Sequence, residues 1–591
     1  MLFSLLPLMA ADEEQVTISK VTYIGLETFS EKDFKDFIRN KPPGVFTKRD
    51  FDRRILKLDA ISIKNFYIAN GFIEATVRDS FKLTEENTAN VSFIIKEGPR
   101  YYINDISING NKLIETGQIL DLLEIRKGIP FNAISTNKNI KNVEDSYFEF
   151  GRLLVDVKLS SAISDSVDID VQINEGPRMY IKSVFIEGLN GLDSSVVRRE
   201  FVFKPGEPFN IRKVEKTQRR LLETGVFSFA NILPTQVATS DTLVNLVVEL
   251  RQFNPKEWKS AGGYYPIEYF EGSEPVPGVG GEIGWRNRRI LKTSTNFSTQ
   301  ITSEFPIEFE IIYPKLKWNF DFSNQWFLGM RLPTRLNFYY ETFRGYGYEQ
   351  AIHRFGVEEV NTFKFMDWSS MEFGFRIEKF IQPEEEIFSS DIEQRTAYYS
   401  LNILNADSPL IPKEGYRIEG LFSQTGGALG GNYHFYKGDL GFSLYFNPVG
   451  DIVLAGRIKA GQIWGWNEDY LDIRYDKFYL GGSTSMRGWP TLRFKEVLNS
   501  DDELVPQGGL SRLLMNFEVR FPLFWIIGGE LFVDGGVLDN SFTELSNNNI
   551  RWNSGIGITV MTPLGPARLD YAIQMEGKRT RNIELGFQYS F

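Results

Sequence analysis

Residues 583–591 read Ile-Glu-Leu-Gly-Phe-Gln-Tyr-Ser-Phe, and this alternation decides the fold. Side chains on a β-strand point to opposite faces in turn. Ile583, Leu585, Phe587, Tyr589 and Phe591 therefore share one face, and Glu584, Gly586, Gln588 and Ser590 the other. Residues 317–322, Lys-Trp-Asn-Phe-Asp-Phe, repeat the pattern with aromatics on one side and polar groups on the other. From Pro255 onward such period-2 segments, split by Gly, Asn, Asp and Pro, replace helical periodicity. A soluble sandwich also alternates, but two properties favour a membrane barrel. The segments reach the length of about 9 to 11 residues needed to cross a bilayer at a tilt. The apolar face is rich in aromatics while the opposite face carries charges and amides, which suits a lipid exterior and a polar lumen. About 336 residues, at roughly 20 per strand and loop, give about 16 antiparallel strands, an even number as such barrels prefer. The sheet must close, because an open edge in lipid leaves backbone groups unpaired.

Composition agrees and excludes much else. The chain has 591 residues, 14% of them aromatic, with 49 Phe and 25 Tyr, so it is too long for one compact domain. The net charge of −11 is not a nucleic-acid footprint. With no cysteine there are no disulfides, thiolate metal sites or cysteine nucleophiles. The two histidines, His353 and His434, sit alone in barrel segments. No catalytic constellation, metal site or cofactor is assigned, and no Gly-rich Lys loop for a nucleotide is found. No apolar run of about 18 residues marks a transmembrane helix. Residues 1–14 read as the remnant of a secretory signal: an apolar run closes in Met9-Ala10-Ala11, although no Lys or Arg precedes it.

Between that run and the barrel lies a threefold repeat. Gly98-Pro99-Arg100 and Gly176-Pro177-Arg178 follow acidic residues and precede strands that end in a glycine, Ile106 to Gly110 and Val184 to Gly188; Val21 to Gly25 opens the first copy alike. Gly44-Val45-Phe46, Gly128-Ile129-Pro130-Phe131 and Gly206-Glu207-Pro208-Phe209 each lead into a helical stretch. Those stretches end at Gly71, Gly151 and Gly225, where glycine suits the left-handed helix stop. Alternating strands close the copies at Val91 to Ile95, Val167 to Ile173 and Leu243 to Leu250. Each unit reads β-α-α-β-β, with boundaries at 15–97, 98–176 and 177–253, and the barrel takes 254–591.

The order of these landmarks resembles POTRA domains, the polypeptide-transport-associated modules. Such modules serve as spacers, or pair their exposed strand edges with extended client chains. The barrel resembles the BamA/TamA superfamily of outer-membrane assembly factors. Residues 481–489, Gly-Gly-Ser-Thr-Ser-Met-Arg-Gly-Trp, look like that family's lumen loop, with Met and Trp flanking Arg487-Gly488 as a mild variation. Phe532-Val533-Asp534-Gly535-Gly536 matches the family's Phe-x-Asp-x-Gly strand, and Asn516-Phe517-Glu518 with Phe521-Pro522 the strand before it. The resemblance implies a loop folded back into the lumen, with Arg487, Gly488 and Trp489 locked against Glu518 and Asp534. Pro563 to Ala572, Gly284 to Asn287 and Asp407 to Tyr416 look like further barrel motifs, and Phe591 like the C-terminal signal of outer-membrane barrels.

Three repeats look most like TamA, since BamA carries five and the two-partner secretion transporters carry two with a plug helix. The function implied is a non-enzymatic insertase in the bacterial outer membrane, its repeats in the periplasm. A lateral seam is expected between a first strand at about Ser260 to Tyr265, weakened by Gly262 and Gly263 beside Tyr264, and the last strand with Ile583, Leu585, Phe587, Tyr589 and Phe591. Its partners would be unfolded barrel clients, outer-membrane lipids and a periplasm-spanning inner-membrane protein on the first repeat. A polypeptide secretion channel is the alternative.

Overall fold

The computed structural model describes residues 16–591, except 35–36, 42–50, 85–87, 238, 269–274, 308–313, 345–350, 367, 382–390, 466–475, 499–503, 525, 544–548, 563–564, 577–579, 588 and 590. The signal-like run, Gly44-Val45-Phe46 and Pro563-Leu564 lie outside the described residues. The chain forms two compact units: residues 1–187, 200–219 and 231–249, and residues 188–199, 220–230 and 250–591.

Each repeat folds as a three-stranded sheet whose last strand lies in the middle. In the first, Thr17–Ile24 runs parallel to Thr88–Lys96, which pairs antiparallel with Thr76–Leu83. Two helices, Glu31–Phe34 and Arg53–Ala69, cover one face. Asp52 starts the longer one by accepting the Arg54 amide. The core is Leu56, Ile63, Tyr67, Val91 and Phe93, all fully buried, which is what an alternating strand and a 3.6-periodic helix place on facing sides. The second repeat repeats the plan, with Asn132 capping Ala133–Glu149.

The glycines that end these helices also join consecutive modules. Gly71 (φ +95°) accepts the Tyr101 amide at 2.8 Å, and Gly151 (φ +82°) accepts that of Met179 at 2.9 Å. A Cβ on Gly71 would lie 2.8 Å from the Tyr101 carbonyl, so the position needs both the left-handed backbone and the missing side chain. Gly225 (φ +70°) continues the series: its carbonyl accepts Nη1 of Arg288, at 3.1 Å.

From residue 256 the chain forms one sixteen-stranded antiparallel sheet in which each strand pairs with the next. The strands are β1 Lys256–Tyr264, β2 Gly278–Asn287, β3 Asn296–Pro306, β4 Lys315–Asn324, β5 Thr334–Phe343, β6 Ile352–Met366, β7 Ser369–Ile381, β8 Asp391–Ala406, β9 Gly415–Thr425, β10 Phe435–Val449, β11 Ile452–Gly465, β12 Ser511–Phe524, β13 Ile527–Asp539, β14 Arg551–Thr562, β15 Gly565–Gln574 and β16 Arg581–Phe587. The first strand thus begins at Lys256 rather than near Ser260, because its ladder with β2 runs unbroken from Lys256↔Asn287 to Tyr264↔Val279.

Burial separates a membrane barrel from a soluble sandwich. Leu440, Ile556 and Ile583 are 60%, 59% and 67% exposed, whereas Glu341, Glu518 and Arg512 are 0% exposed. A sandwich in water would bury the opposite set. Here the apolar face looks outward to lipid and the charges line the lumen. No helix among the described residues is long and apolar enough to cross a membrane.

Candidate functional site

The connection between β11 and β12 opens on the rim opposite the start of β1 and returns into the lumen. Residues 481–489 carry the site. Ser485 staples the loop to itself, accepting the Gly481 amide (2.9 Å) and donating to the Gly481 carbonyl (3.0 Å). The Gly482 amide bonds the Trp489 carbonyl at 2.9 Å. This closed turn presents Met486 and Arg487, both fully buried, to the wall.

Arg487 grips Asp534 in two-pronged fashion: Nε donates to Oδ2 (3.0 Å) and Nη2 to Oδ1 (2.7 Å). Its Nη1 lies 2.9 Å from Glu518 Oε1 and 3.1 Å from Glu530 Oε1, and 3.9 Å from Asp570. The guanidinium sits 3.5 Å from the centre of the Phe532 ring, a cation held on an aromatic face. Phe532-x-Asp534-x-Gly536 is therefore one inward face of β13: a ring to stack on, a carboxylate to bind, and a bare position against which Met486 packs.

The wall also holds the loop by its backbone. Nη2 of Arg568 donates to the Ser483 carbonyl (2.9 Å), Nη2 of Arg457 to that of Thr484 (2.7 Å), and Nδ2 of Asn516 to that of Ser485 (2.7 Å). Asn582 donates to the Arg487 carbonyl (3.1 Å) and Gln574 to that of Gly488 (2.7 Å). Five of the six carbonyls from Ser483 to Gly488 thus receive a side chain from β11, β12, β15 or β16. Asn516, Arg568 and Asp570 lie inside the matched stretches 516–518 and 563–572, where they are assigned no part in the lock; Arg457, Gln574, Asn582, Glu530 and Asn553 were not singled out by sequence. The available signal was the two-residue inward period: Glu530 and Asp534 share a face of β13, and Arg568 and Asp570 a face of β15.

At the seam, no backbone ladder joins β1 to β16 among the described residues. The Tyr264 and Phe587 rings meet across it at 4.6 Å. Gly262 pairs with Gly281 and Gly263 with Gly280, so glycines face each other in the first hairpin. Ile583 and Leu585 point outward and are exposed. Tyr589 and Phe591 do not share their face, which corrects the strict alternation to the last residue. Regular pairing stops at Phe587, and both rings turn inward. The Arg520 guanidinium lies 3.8 Å from the Tyr589 ring and 5.3 Å from that of Phe591, and Phe591 also stacks on Tyr445. Buried cations in the lumen attract these rings more than continued alternation would.

The remaining residues have local roles. Asp407 accepts the amides of Lys413 and Glu414 and so shapes the turn between β8 and β9. His353 Nδ1 meets the Tyr340 hydroxyl at 2.8 Å, and His434 Nδ1 accepts the Gly427 amide at 2.7 Å. No group of three or more His, Asp or Glu among the described residues could hold a metal ion.

Residues 304–591 match the Omp85 superfamily domain, and residues 16–98, 101–176 and 179–252 match the POTRA family, described as a surface antigen variable number repeat. The outer membrane protein assembly factor BamA of Nitratidesulfovibrio vulgaris is 23% identical over 619 residues, spanning 99% of this chain and 74% of that protein. That of Neorickettsia risticii is 21% identical over 616 residues, spanning 98% and 79%. Among solved structures, BamA from Haemophilus ducreyi lacking POTRA domains 1–3 aligns with a TM-score of 0.62 at 16% identity, covering 83% of this chain and 99% of that one. At that identity the likeness is one of fold. With the sixteen-stranded sheet, the outward apolar face and the lumen loop in place, the chain carries the Omp85 superfamily domain, as an outer-membrane barrel that follows three periplasmic POTRA repeats.

Proposed function

We propose that this chain is an outer-membrane protein assembly factor that inserts client β-barrels through the seam between β1 and β16. The observation that carries this reading is the seam itself: two strand edges meet through the Tyr264 and Phe587 rings without a ladder. Unpaired edges template another strand. A client strand added there enters lipid with its backbone hydrogen bonds already made. The glycines facing each other in the first hairpin leave that wall thin and easily displaced. The repeats supply further edges, since their first and second strands flank the sheet, as Thr17–Ile24 and Thr76–Leu83 do in the first. They are the natural place to hold unfolded clients, and the first repeat the docking point for a periplasm-spanning inner-membrane partner. The loop anchored by Arg487, Gly488 and Trp489 on Glu518 and Asp534 keeps the wall beside the seam in register.

The test is a disulfide across the seam in a chain that has no cysteine of its own. Cysteines at Tyr264 and Phe587 are oxidised in the full-length protein, and client insertion into lipid vesicles is followed with and without reductant. Lateral opening predicts that the oxidised protein stays folded, loses insertion and regains it on reduction. Unchanged insertion with the seam locked would sink this reading and favour the secretion channel, where a polypeptide passes through the lumen.

A further inference from the structure

The lumen loop touches both sides of the seam. The Thr484 hydroxyl donates to the Pro275 carbonyl, in the connection between β1 and β2 (3.2 Å), while Asn582 of β16 donates to the Arg487 carbonyl (3.1 Å). Between these two contacts stands Arg568 of β15, fully buried. Its Nη1 donates to Asp570 Oδ2 (2.8 Å) and Glu530 Oε1 (3.1 Å), and its Nη2 to the Ser483 carbonyl (2.9 Å). Glu530 Oε1 also receives Nη1 of Arg487. One carboxylate oxygen therefore joins the arginine of the loop to the arginine of the wall.

The last strand rests on this same guanidinium. The ladder sets Arg568 opposite Gly586. A Cβ at Gly586 would lie 2.7 Å from Nη2 of Arg568, 3.2 Å from Cζ and 3.3 Å from Nε. Ordinarily a long side chain would swing aside. Here the guanidinium is held by two carboxylates and a loop carbonyl, so yielding would break at least one of those bonds. Gly586 lies outside the left-handed region. The glycine is there for close approach, not for a turn.

We propose that Arg568 is a positioning residue for seam opening: it holds β16 against the seated loop, so that unseating the loop releases the last strand. A guanidinium suits this task because its planar fork bonds in several directions at once and leaves a face for the strand to lie on. An ammonium group at the same place would keep the charge and lose the plane. The proposal deepens the lateral-opening reading and rests on it, but it concerns the resting protein and its test needs no client.

Cysteines at Tyr264 and Phe587 report closure of the seam through their cross-linking rate in the purified full-length protein. Proteolysis within residues 481–489 reports seating of the loop. Arg568→Ala removes the bonds to Asp570, Glu530 and the Ser483 carbonyl and is expected to slow cross-linking about tenfold or more, since one charge-assisted hydrogen bond alone carries about that weight. The loop should stay protected, because Arg487 keeps Asp534 and Glu518. Arg568→Lys should fall between the two. If Arg568→Ala does not fold, Gly586→Val asks the same question by pushing the strand off an intact guanidinium, and it too should slow cross-linking. Unchanged cross-linking in a folded variant would overturn the proposal. So would a loss that follows proteolysis of the loop one for one, since Arg568 would then merely support the loop. Because the readout omits the client, a failure of insertion would count against the assembly reading and leave this result standing.

Discussion

Arg354, partly buried, and Arg487, fully buried, each face two or more carboxylates in the lumen, and they differ in where they come from. Arg354 belongs to the wall. It projects from β6 toward Glu341 of β5 (Nε to Oε2, 2.6 Å) and Glu378 of β7 (3.6 Å), with Lys315 3.1 Å from Glu341 and Arg376 2.7 Å from Glu378. Every partner is on a neighbouring or next-neighbouring strand, around a cavity of about 440 Å³. Arg487 arrives instead on a loop, and its carboxylates lie on β12, β13 and β15. The first network can only stiffen a sheet that backbone ladders already fix. The second holds residues 481–489, which belong to no strand ladder, so the same kind of chemistry there can decide a conformation. If the assembly reading holds, networks of the first kind should set stability and those of the second which state the barrel occupies.

The sharpest way to break this distinction is Arg487→Ala. Removing one partner of a buried, hydrogen-bonded charge cluster costs about 3 to 5 kcal/mol. The cost should fall on loop seating, because the sixteen-stranded ladder does not depend on Arg487. Residues 481–489 should become open to protease and client insertion should collapse, while the barrel still resists unfolding in detergent. A barrel that unfolds with its loop still protected would erase the difference between the two networks.

Arg354→Gln should show the complement. Glu341 keeps Lys315 and Glu378 keeps Arg376, so the loss is smaller, about 1 to 3 kcal/mol, the range for a charged hydrogen bond removed from a buried site. It should appear as a lower urea midpoint with insertion unchanged. Arg354→Gln that abolished insertion in a folded barrel would show that the wall network also controls state.

The same contrast marks what sequence could reveal. Alternation exposes the sheet because lipid and lumen impose opposite chemistry on alternate residues, as Lys317 to Phe322 show. Arg487, Glu518 and Asp534 stand out only because they sit inside recognisable motifs. Glu530 and Asn582 do not, since a polar residue facing a polar lumen is ordinary; Arg568 lies in the matched stretch from Pro563 to Ala572, but its role depends on a loop folding back onto it. The Arg354 network is silent for a related reason: register alone brings residues 315, 341, 354 and 378 together. Tyr589 and Phe591 mislead because alternation assumes the strand continues. Their inward turn is set by Arg520 and Tyr445, which are far away in sequence.

The smallest effect carries the comparison outside the membrane, to carboxylates pinned within a single repeat. Glu97 accepts the amides of Glu27 (2.8 Å) and Thr28 (3.1 Å) and the Tyr67 hydroxyl (2.8 Å). Glu175 does the same for Lys112 and Leu113, both at 2.7 Å. Burial pushes each carboxyl up, but these bonds outweigh it and hold it below its ordinary value. A carboxylate with a depressed folded pKa stabilises above its unfolded pKa and loses that contribution as pH falls through the folded value. The third repeat has Gln252 at the corresponding place, bonded to Arg289, and an amide does not titrate. Hydrogen exchange on the full chain should therefore speed up at residues 27–28 and 112–113 as the pH is taken from 7 to well below the ordinary carboxyl value of 4.5, relative to the intrinsic rate, by about fivefold for one hydrogen bond. Residues 189–191 should not respond. Glu97→Gln should abolish the response in the first repeat alone and leave insertion intact. Equal acid sensitivity in all three repeats would mean that the carboxylates are not its source, and the division between local pins and state-setting locks would then hold only inside the barrel.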